Sequence, residues 1–213
     1  PAVTDLPMDR PRPAVFDPAG GRVRITVPDE VAQRIPEFAA EHNVTPFMVF
    51  HAVLAITVAR LAATADVVIG APIAGRGDAA LDGLLGMFVN TLVLRTPVDA
   101  GAGTAELLAQ VRATDLDAFA HPDVQFEQLV EKLAPERSTA YTPLFQIVLT
   151  HTAGDLDTGA AVPLSDGGVS VEPITLDVDE VKFDLTVGVH EGSRTTVEFV
   201  YAASLFDEST IIR

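Results

Sequence analysis

Cysteine and tryptophan are absent from the 213 residues, tyrosine occurs twice, and lysine is confined to Lys132 and Lys182. Without cysteine there is no disulfide, no thiolate nucleophile and no zinc–thiolate site. Long apolar runs are missing too: the most apolar window, 47–63, is broken by His51, Thr57 and Arg60, and no basic-then-apolar leader opens the chain. A cytoplasmic protein with no membrane partner is the expectation. Positive charge is scarce, with 14 Lys and Arg against 30 Asp and Glu and a net charge of −16, which repels phosphate backbones and argues against nucleic acid as a partner. The five histidines, His42, His51, His121, His151 and His190, fall in separate elements without the spacing of a helix-borne metal site. No serine has the Gly-x-Ser-x-Gly setting of a nucleophile elbow. Neither a metal nor a catalytic residue is expected from these residues.

What is present fits one α/β core, since 48% hydrophobic residues over this length can bury a sizeable interior. The three prolines of Leu6-Pro7-Met8-Asp9-Arg10-Pro11-Arg12-Pro13 forbid helix and favour an extended linker over residues 1–15. Val23, Ile25 and Val27 alternate with polar residues as a half-buried strand, and Pro28-Asp29 opens a helix to about His42. Thr45 with Pro46 opens a second helix, apolar on most faces to Leu61. Asp66 to Ile69 reads as a short strand, and Gly70 to Gly77 as a loop too rich in glycine for regular structure. Gly70 and Gly75 meet the Gly-x-x-x-x-Gly spacing of a phosphate loop, but Arg76-Gly77 stands where Lys-Ser/Thr is needed.

Thr104 is read as the cap of one amphipathic helix, and Pro122 as the start of another carrying Phe126, Leu129, Val130 and Leu133. Phe145, Ile147 and Leu149 alternate as a strand. His151 to Asp166 is an acidic, glycine-containing loop too long for a hairpin. Three strands, 169–176, 183–189 and 195–201, and a helix after Asp207 close the pattern. The order of elements predicts a two-layer α/β sandwich, a mixed β-sheet with packed helices.

The run Gly86-Met87-Phe88-Val89-Asn90-Thr91-Leu92-Val93-Leu94-Arg95 is the most informative segment, because an amide and a hydroxyl interrupt what otherwise reads as a buried strand. A buried Asn costs free energy unless its donors and acceptors find partners. Asn90 therefore either lines a site or braces neighbouring backbone. His51, on an apolar helix, reads as a satisfied core histidine. His151, Asp155 and Asp157, like Asp177, Asp179 and Glu180, read as solvated acidic surface.

In sequence, these segments resemble the C-terminal lobe of the condensation domain of nonribosomal peptide synthetases. Leu6 to Pro13 resembles the inter-lobe linker. Gly70-Ala71-Pro72-Ile73-Ala74-Gly75-Arg76 resembles the Gly-x-Pro-x-Ala-x-Arg loop, and Gly86 to Arg95 the Gly-x-Phe-Val-Asn-Thr-Leu motif. His121-Pro122-Asp123-Val124-Gln125-Phe126-Glu127 resembles His-x-Asp-x-Pro-Phe-Glu, Arg137 through Pro143-Leu144-Phe145-Gln146 the next motif, and Tyr201 with Leu205-Phe206-Asp207 the closing strand and helix. Gln125 replaces the usual Pro, and Tyr141 stands where one form of its motif has Arg.

The resemblance implies a CoA-dependent acyltransferase-like fold of the chloramphenicol-acetyltransferase superfamily, with residues 16–213 as the lobe. It implies a floor loop over 70–89 with Gly70, Pro72, Ala74 and Arg76, and a latch over about 151–180. Gly86, Phe88, Asn90 and Thr91 would face a tunnel shared with an N-terminal lobe, while Arg95, His121, Phe126, Glu127, Arg137 and Pro143 would be structural. The family joins a donor acyl thioester to an acceptor amine, both carried on phosphopantetheine arms of carrier domains, with an adenylation domain in cis. The His-His-x-x-x-Asp-Gly motif of that chemistry belongs to the other lobe and is nowhere in this sequence. The expectation is a lobe inactive alone, with no directly bound cofactor; the alternative is a noncatalytic module that docks carrier proteins or a partner lobe.

Overall fold

In a computed structural model the structure describes residues 3–76, 79–81, 83–133, 135–136, 138–153, 162–164, 169–171 and 180–213. Strand β1 (Gly20–Thr26) leads into α1 (Asp29–Ala32), α2 (Arg34–Glu41) and α3 (Pro46–Leu61). Then come β2 (Asp66–Ile73), a 3-10 turn (Ala79–Leu81), β3 (Asn90–Pro97), α4 (Thr104–Phe119) and α5 (Phe126–Leu133). The chain closes with β4 (Ile147–Ala153), β5 (Val162–Leu164), β6 (Val169–Val171), β7 (Leu185–Glu191), β8 (Thr195–Ala202) and α6 (Glu208–Ile212).

Six strands make one mixed sheet in the order β1-β8-β7-β4-β2-β3, and β5 pairs with β6 separately. The β2–β4 and β4–β7 pairs are parallel and the other neighbours antiparallel, as the α/β sandwich reading expects. Successive side chains alternate between the sheet's faces. Val67, Ile69, Ile147, Leu149, Val187, Val189 and Val197 therefore share the face that meets Ala55 and Val58 of α3 in the main core. Each large aliphatic side chain buried there contributes roughly 1.5–3 kcal/mol.

Helix α3 starts where the sequence places it. The Thr45 hydroxyl accepts from the Met48 N–H at 3.3 Å, and Pro46 occupies the first turn, where an N–H would lack an intrahelical partner anyway. Among the described residues no single helix is long and apolar enough to cross a membrane.

Several boundaries differ from the sequence reading. The expected helix over 29–42 is two helices joined at Gln33. Thr104 is the first residue of α4, and the cap is Gly103, whose carbonyl accepts from Glu106 and Leu107. The glycine-rich segment from Gly70 is strand as far as Ile73, because β3 pairs with it residue for residue from Ile73↔Asn90 to Asp66↔Pro97. His151 neither begins a loop nor stands in solvent: it lies in β4 opposite Val189, its ring 6.3 Å from Phe47 and 6.0 Å from Phe50 and its Nε2 3.2 Å from Glu191. Of the strand expected over 169–176, Val169–Val171 is observed as β6, and the remainder lies outside the described residues.

The segment read as a linker is fastened to the rest of the fold. Thr4 and Leu6 are buried, and the Thr4 N–H donates to Gln146 Oε1 at 2.8 Å. The Asp9 carboxylate accepts from the Asp207 N–H (2.8 Å) and the Thr210 hydroxyl (2.9 Å), bonds that hold it below the ordinary carboxylate range. Arg10 donates to Asp207 and to the Ala203 carbonyl. Arg12 makes a two-pronged bond to the buried Asp184, which raises its guanidinium further above its ordinary pKa.

Candidate functional site: the β3 edge and its flanking loops

Asn90 opens β3, the edge strand, and is 4% exposed. Its Nδ2 donates to the carbonyls of Pro122 and Val124, both at 2.8 Å. Its Oδ1 accepts from the Thr91 N–H at 2.8 Å and the Phe126 N–H at 3.1 Å. Two donors and two acceptors are the whole capacity of an amide. Bracing is thus the use this geometry describes, and no donor or acceptor is left for a pantetheine or peptidyl amide.

The same bonds explain why α5 begins at Phe126 and not at Pro122. The Phe126 N–H is taken by a side chain from another element, and the turn before it is held open by the Asn90 amide. Phe126 then packs on Phe145 (5.2 Å between ring centres), and Phe145 on Phe183 (5.6 Å). These rings cover Val68, Val93 and Val148 on the face of the sheet opposite the main core. Gly70 is what lets Phe145 lie there, since a Cβ at Gly70 would stand 2.4 Å from the ring.

Beyond β2 the chain turns at Gly75, whose φ of +63° and close approach to the Phe88 carbonyl admit no side chain; a Cβ would lie 1.7 Å from that oxygen. Arg76 follows. Its guanidinium donates to the carbonyls of Leu81, Leu84 (3.1 Å) and Gly86 (3.5 Å), and it sits 4.3 Å from the centre of the Phe88 ring. The strand expected to begin at Gly86 begins at Asn90, because the backbone before it bonds to Arg76 and not to β2. Leu85 at 103% and Met87 at 90% exposure stand out from this loop, with Leu84 and Val89 more than half exposed.

The other end of β3 is pinned inside the molecule. Thr96, His51 and Asp115 are each 0% exposed. His51 Nδ1 donates to Asp115 Oδ1 at 2.8 Å, which leaves Nε2 to accept from the Thr96 hydroxyl at 3.2 Å. This is the satisfied core histidine expected of His51. Asp115 and Thr96 escaped the sequence reading, although Asp115 stands one turn beyond Val111 and one before Phe119, on the apolar stripe of α4, and that position is the signal that could have found it. Arg95, beside Thr96, makes a two-pronged bond to Asp66 at 2.8 Å, which lowers the Asp66 carboxyl.

Two clefts of about 310 Å³ each flank this strand. One, beside the free edge of β3, is lined by Thr91, Val93, Arg95, Asp117 and His121 among others. The second brings Gly75, Met87, Phe88 and Val89 against Pro122, Asp123 and Gln125. The structure thus gathers Gly86, Phe88, Asn90 and Arg76 near one another and places Thr91, Arg95 and His121 on the other cleft. Pro72 pairs across from Thr91, and Ala74 is exposed between β2 and Gly75. Glu127 is exposed in the first turn of α5, where an acid suits the helix N-terminus. Pro143 makes a tight turn in which its carbonyl accepts from the Phe145 N–H across Leu144 at φ +69°. Arg137 and most of the 151–180 segment lie outside the described residues. Among the described residues no three His, Asp or Glu side chains gather as a metal site would require.

A family model for the condensation domain matches residues 1–213. The chain is 42% identical over 208 residues to CymA of Salinispora arenicola, named a probable non-canonical nonribosomal peptide synthetase, covering 96% of this chain and 3% of that one. It is 38% identical over 218 residues to the phosphinothricin tripeptide synthetase PhsC of Streptomyces viridochromogenes, covering 100% of this chain and 19% of the relative. Among solved structures, the X-domain from teicoplanin biosynthesis superposes with a TM-score of 0.86 at 26% identity, over 99% of this chain and 48% of that one. The chain therefore spans a small part of the curated relatives it matches and about half of that solved domain. By sequence and by fold, the chain belongs to the condensation-domain family.

Proposed function

We propose that this chain is the C-terminal lobe of a peptide-bond-forming condensation domain in nonribosomal peptide synthesis, supplying one wall of a tunnel and inactive without an N-terminal lobe. The observation that carries the reading is the loop before β3. Leu85 and Met87 are almost wholly exposed on a segment whose base is fixed by Gly75 and Arg76. Large apolar side chains held out in this way suit burial against another protein surface, and the loop falls within the segment that resembles the family's floor.

On this reading the substrates are a donor acyl thioester and an acceptor amine, each tethered by the phosphopantetheine arm of a carrier domain. The amine attacks the thioester carbonyl, the C–N bond forms, the C–S bond breaks, and the proton lost by the amine is passed, by way of the histidine of the N-terminal lobe, to the departing thiolate, so that the donor arm leaves as a thiol. Here the lobe's part is positional. Asn90 fixes the 122–126 turn, and that turn with the 75–89 loop shapes the wall.

An N-terminal lobe, carrier domains and an adenylation domain in cis are the partners, in the cytoplasm. With the chain at −16, docking of acidic carriers rests on local apolar contact more than on long-range attraction. A condensation assay with aminoacyl-loaded carriers tests this. The chain alone gives no product, and adding a separately made N-terminal lobe restores it. Turnover by the chain alone overturns the missing-histidine argument; no restoration overturns the partner assignment.

A further inference from the structure

Within the proposed half-domain, Arg76 does a task that composition does not suggest. One guanidinium collects the carbonyls of Leu81, Leu84 and Gly86, and the Phe88 ring covers its face at 4.3 Å. With the carbonyls of 81, 84 and 86 drawn to one cation, the backbone of the loop is held to one path, and the apolar side chains at 85 and 87 stand outward from it. Leu85 and Met87 are the most exposed large apolar residues of the loop, at 103% and 90%, and Val89 is 57% exposed.

We infer that Arg76 is a positioning residue that sets the register of the 84–89 loop, so that Leu85, Met87 and Val89 are presented together to the partner lobe before it arrives. Three carbonyl acceptors plus a stacked ring match the planar, five-donor fork of arginine and not the compact ammonium of lysine. Holding the loop in its bound form lowers the ordering cost of association, so the effect falls on affinity. It does not fall on the fold, because these side chains lie outside the core clusters. The second cleft is the neighbour that depends on this register, since Met87, Phe88 and Val89 form one of its sides.

The inference rests on the half-domain reading, and the experiment separates the two. In the 213-residue chain, backbone 15N NMR order parameters over residues 84–88 are compared for wild type, Arg76→Ala and Arg76→Lys, with the thermal midpoint as the control on folding. Both variants are expected to bring the loop below about 0.6 while the sheet stays near about 0.85. Titration against a separately made N-terminal lobe is then expected to show affinity weakened by about tenfold in both variants, with no rescue by lysine. Unchanged order parameters in Arg76→Ala, or full binding by Arg76→Lys, overturns the inference. If the wild type fails to bind the lobe, the half-domain reading falls, and the order parameters alone decide whether Arg76 orders the loop.

Discussion

On the side of the sheet under α3, the strands carry Val67, Ile69, Ile147, Leu149, Val187, Val189 and Val197, with a fully buried polar island, Thr96–His51–Asp115, and a less buried pair, His151 and Glu191, at 3.2 Å. On the other side, the same strands carry Thr150, Thr186, His190, Glu198, Arg22 and Arg24, covered by aromatic rings only near Val68, Val93 and Val148. The first face obeys the demands of burial, and its fully buried polar island is hydrogen-bonded from three elements. The second has Glu198 shared between two half-exposed arginines, as a face left to solvent allows. The same groups thus answer to different demands: on the covered face a polar side chain needs a partner, and on the open face water can serve.

The sharpest way to break this contrast is inside the island. His51→Ala strands the Asp115 carboxylate and the Thr96 hydroxyl without partners, and denaturant unfolding is expected to show a loss of about 3–5 kcal/mol. A loss under about 1 kcal/mol would mean that the covered face tolerates polar gaps as well as the open one does. Asn90 comes next. Asn90→Asp keeps an acceptor for the Phe126 N–H but removes both donors and sets a charge against the Pro122 and Val124 carbonyls, so a loss of about 2–4 kcal/mol is expected. The Phe126, Gln128 and Leu129 amides at the start of α5 should lose exchange protection first, and unchanged protection there would deny the bracing role.

On the open face the effects shrink. Glu198→Gln should alter stability by less than about 1 kcal/mol, since ion pairs whose cations stand in solvent are worth little; a larger drop would show that this face also holds the fold. Smallest of all is Arg95→Gln, read against pH. Asp66 is held below its ordinary value of 3.8 by the Arg95 side chain. A lowered carboxyl contributes stability above its unfolded pKa and loses it as the pH falls through its folded one. The difference between wild type and variant should be present at neutral pH and vanish once the medium is acidic enough to protonate Asp66 in both states. A difference that persisted or grew in acid would locate the effect in packing by the Arg95 stem.

Much of the fold could be read from residue patterns. Thr45-Pro46 marks the start of α3, the alternation at 23–27 and 195–201 gives two strands, and the two-layer sandwich follows from the order of elements. The misreadings share a cause, which is that a distant partner decided them. Gly70 and Pro72 read as loop because neither favours a strand alone; β3 pairs along both, and Phe145 fills the space above Gly70. Pro122 read as a helix start because the amide that holds its carbonyl sits 32 residues earlier. At the candidate site, the sequence marked Asn90 as needing partners without saying which. It gave Arg76 no partner, since three carbonyls leave no trace in side-chain type.

The clasp of Asp9 and Arg10 on Asp207, Thr210 and Ala203 has a mechanical meaning. It ties residues near the start of the sequence to residues near its end, close by the β1–β8 pair. A pull on the two ends loads this clasp before it loads the sheet, so the force is borne along the β1 edge. The Asn90 splint and the Arg76 loop, at the opposite edge of the sheet, keep their shape.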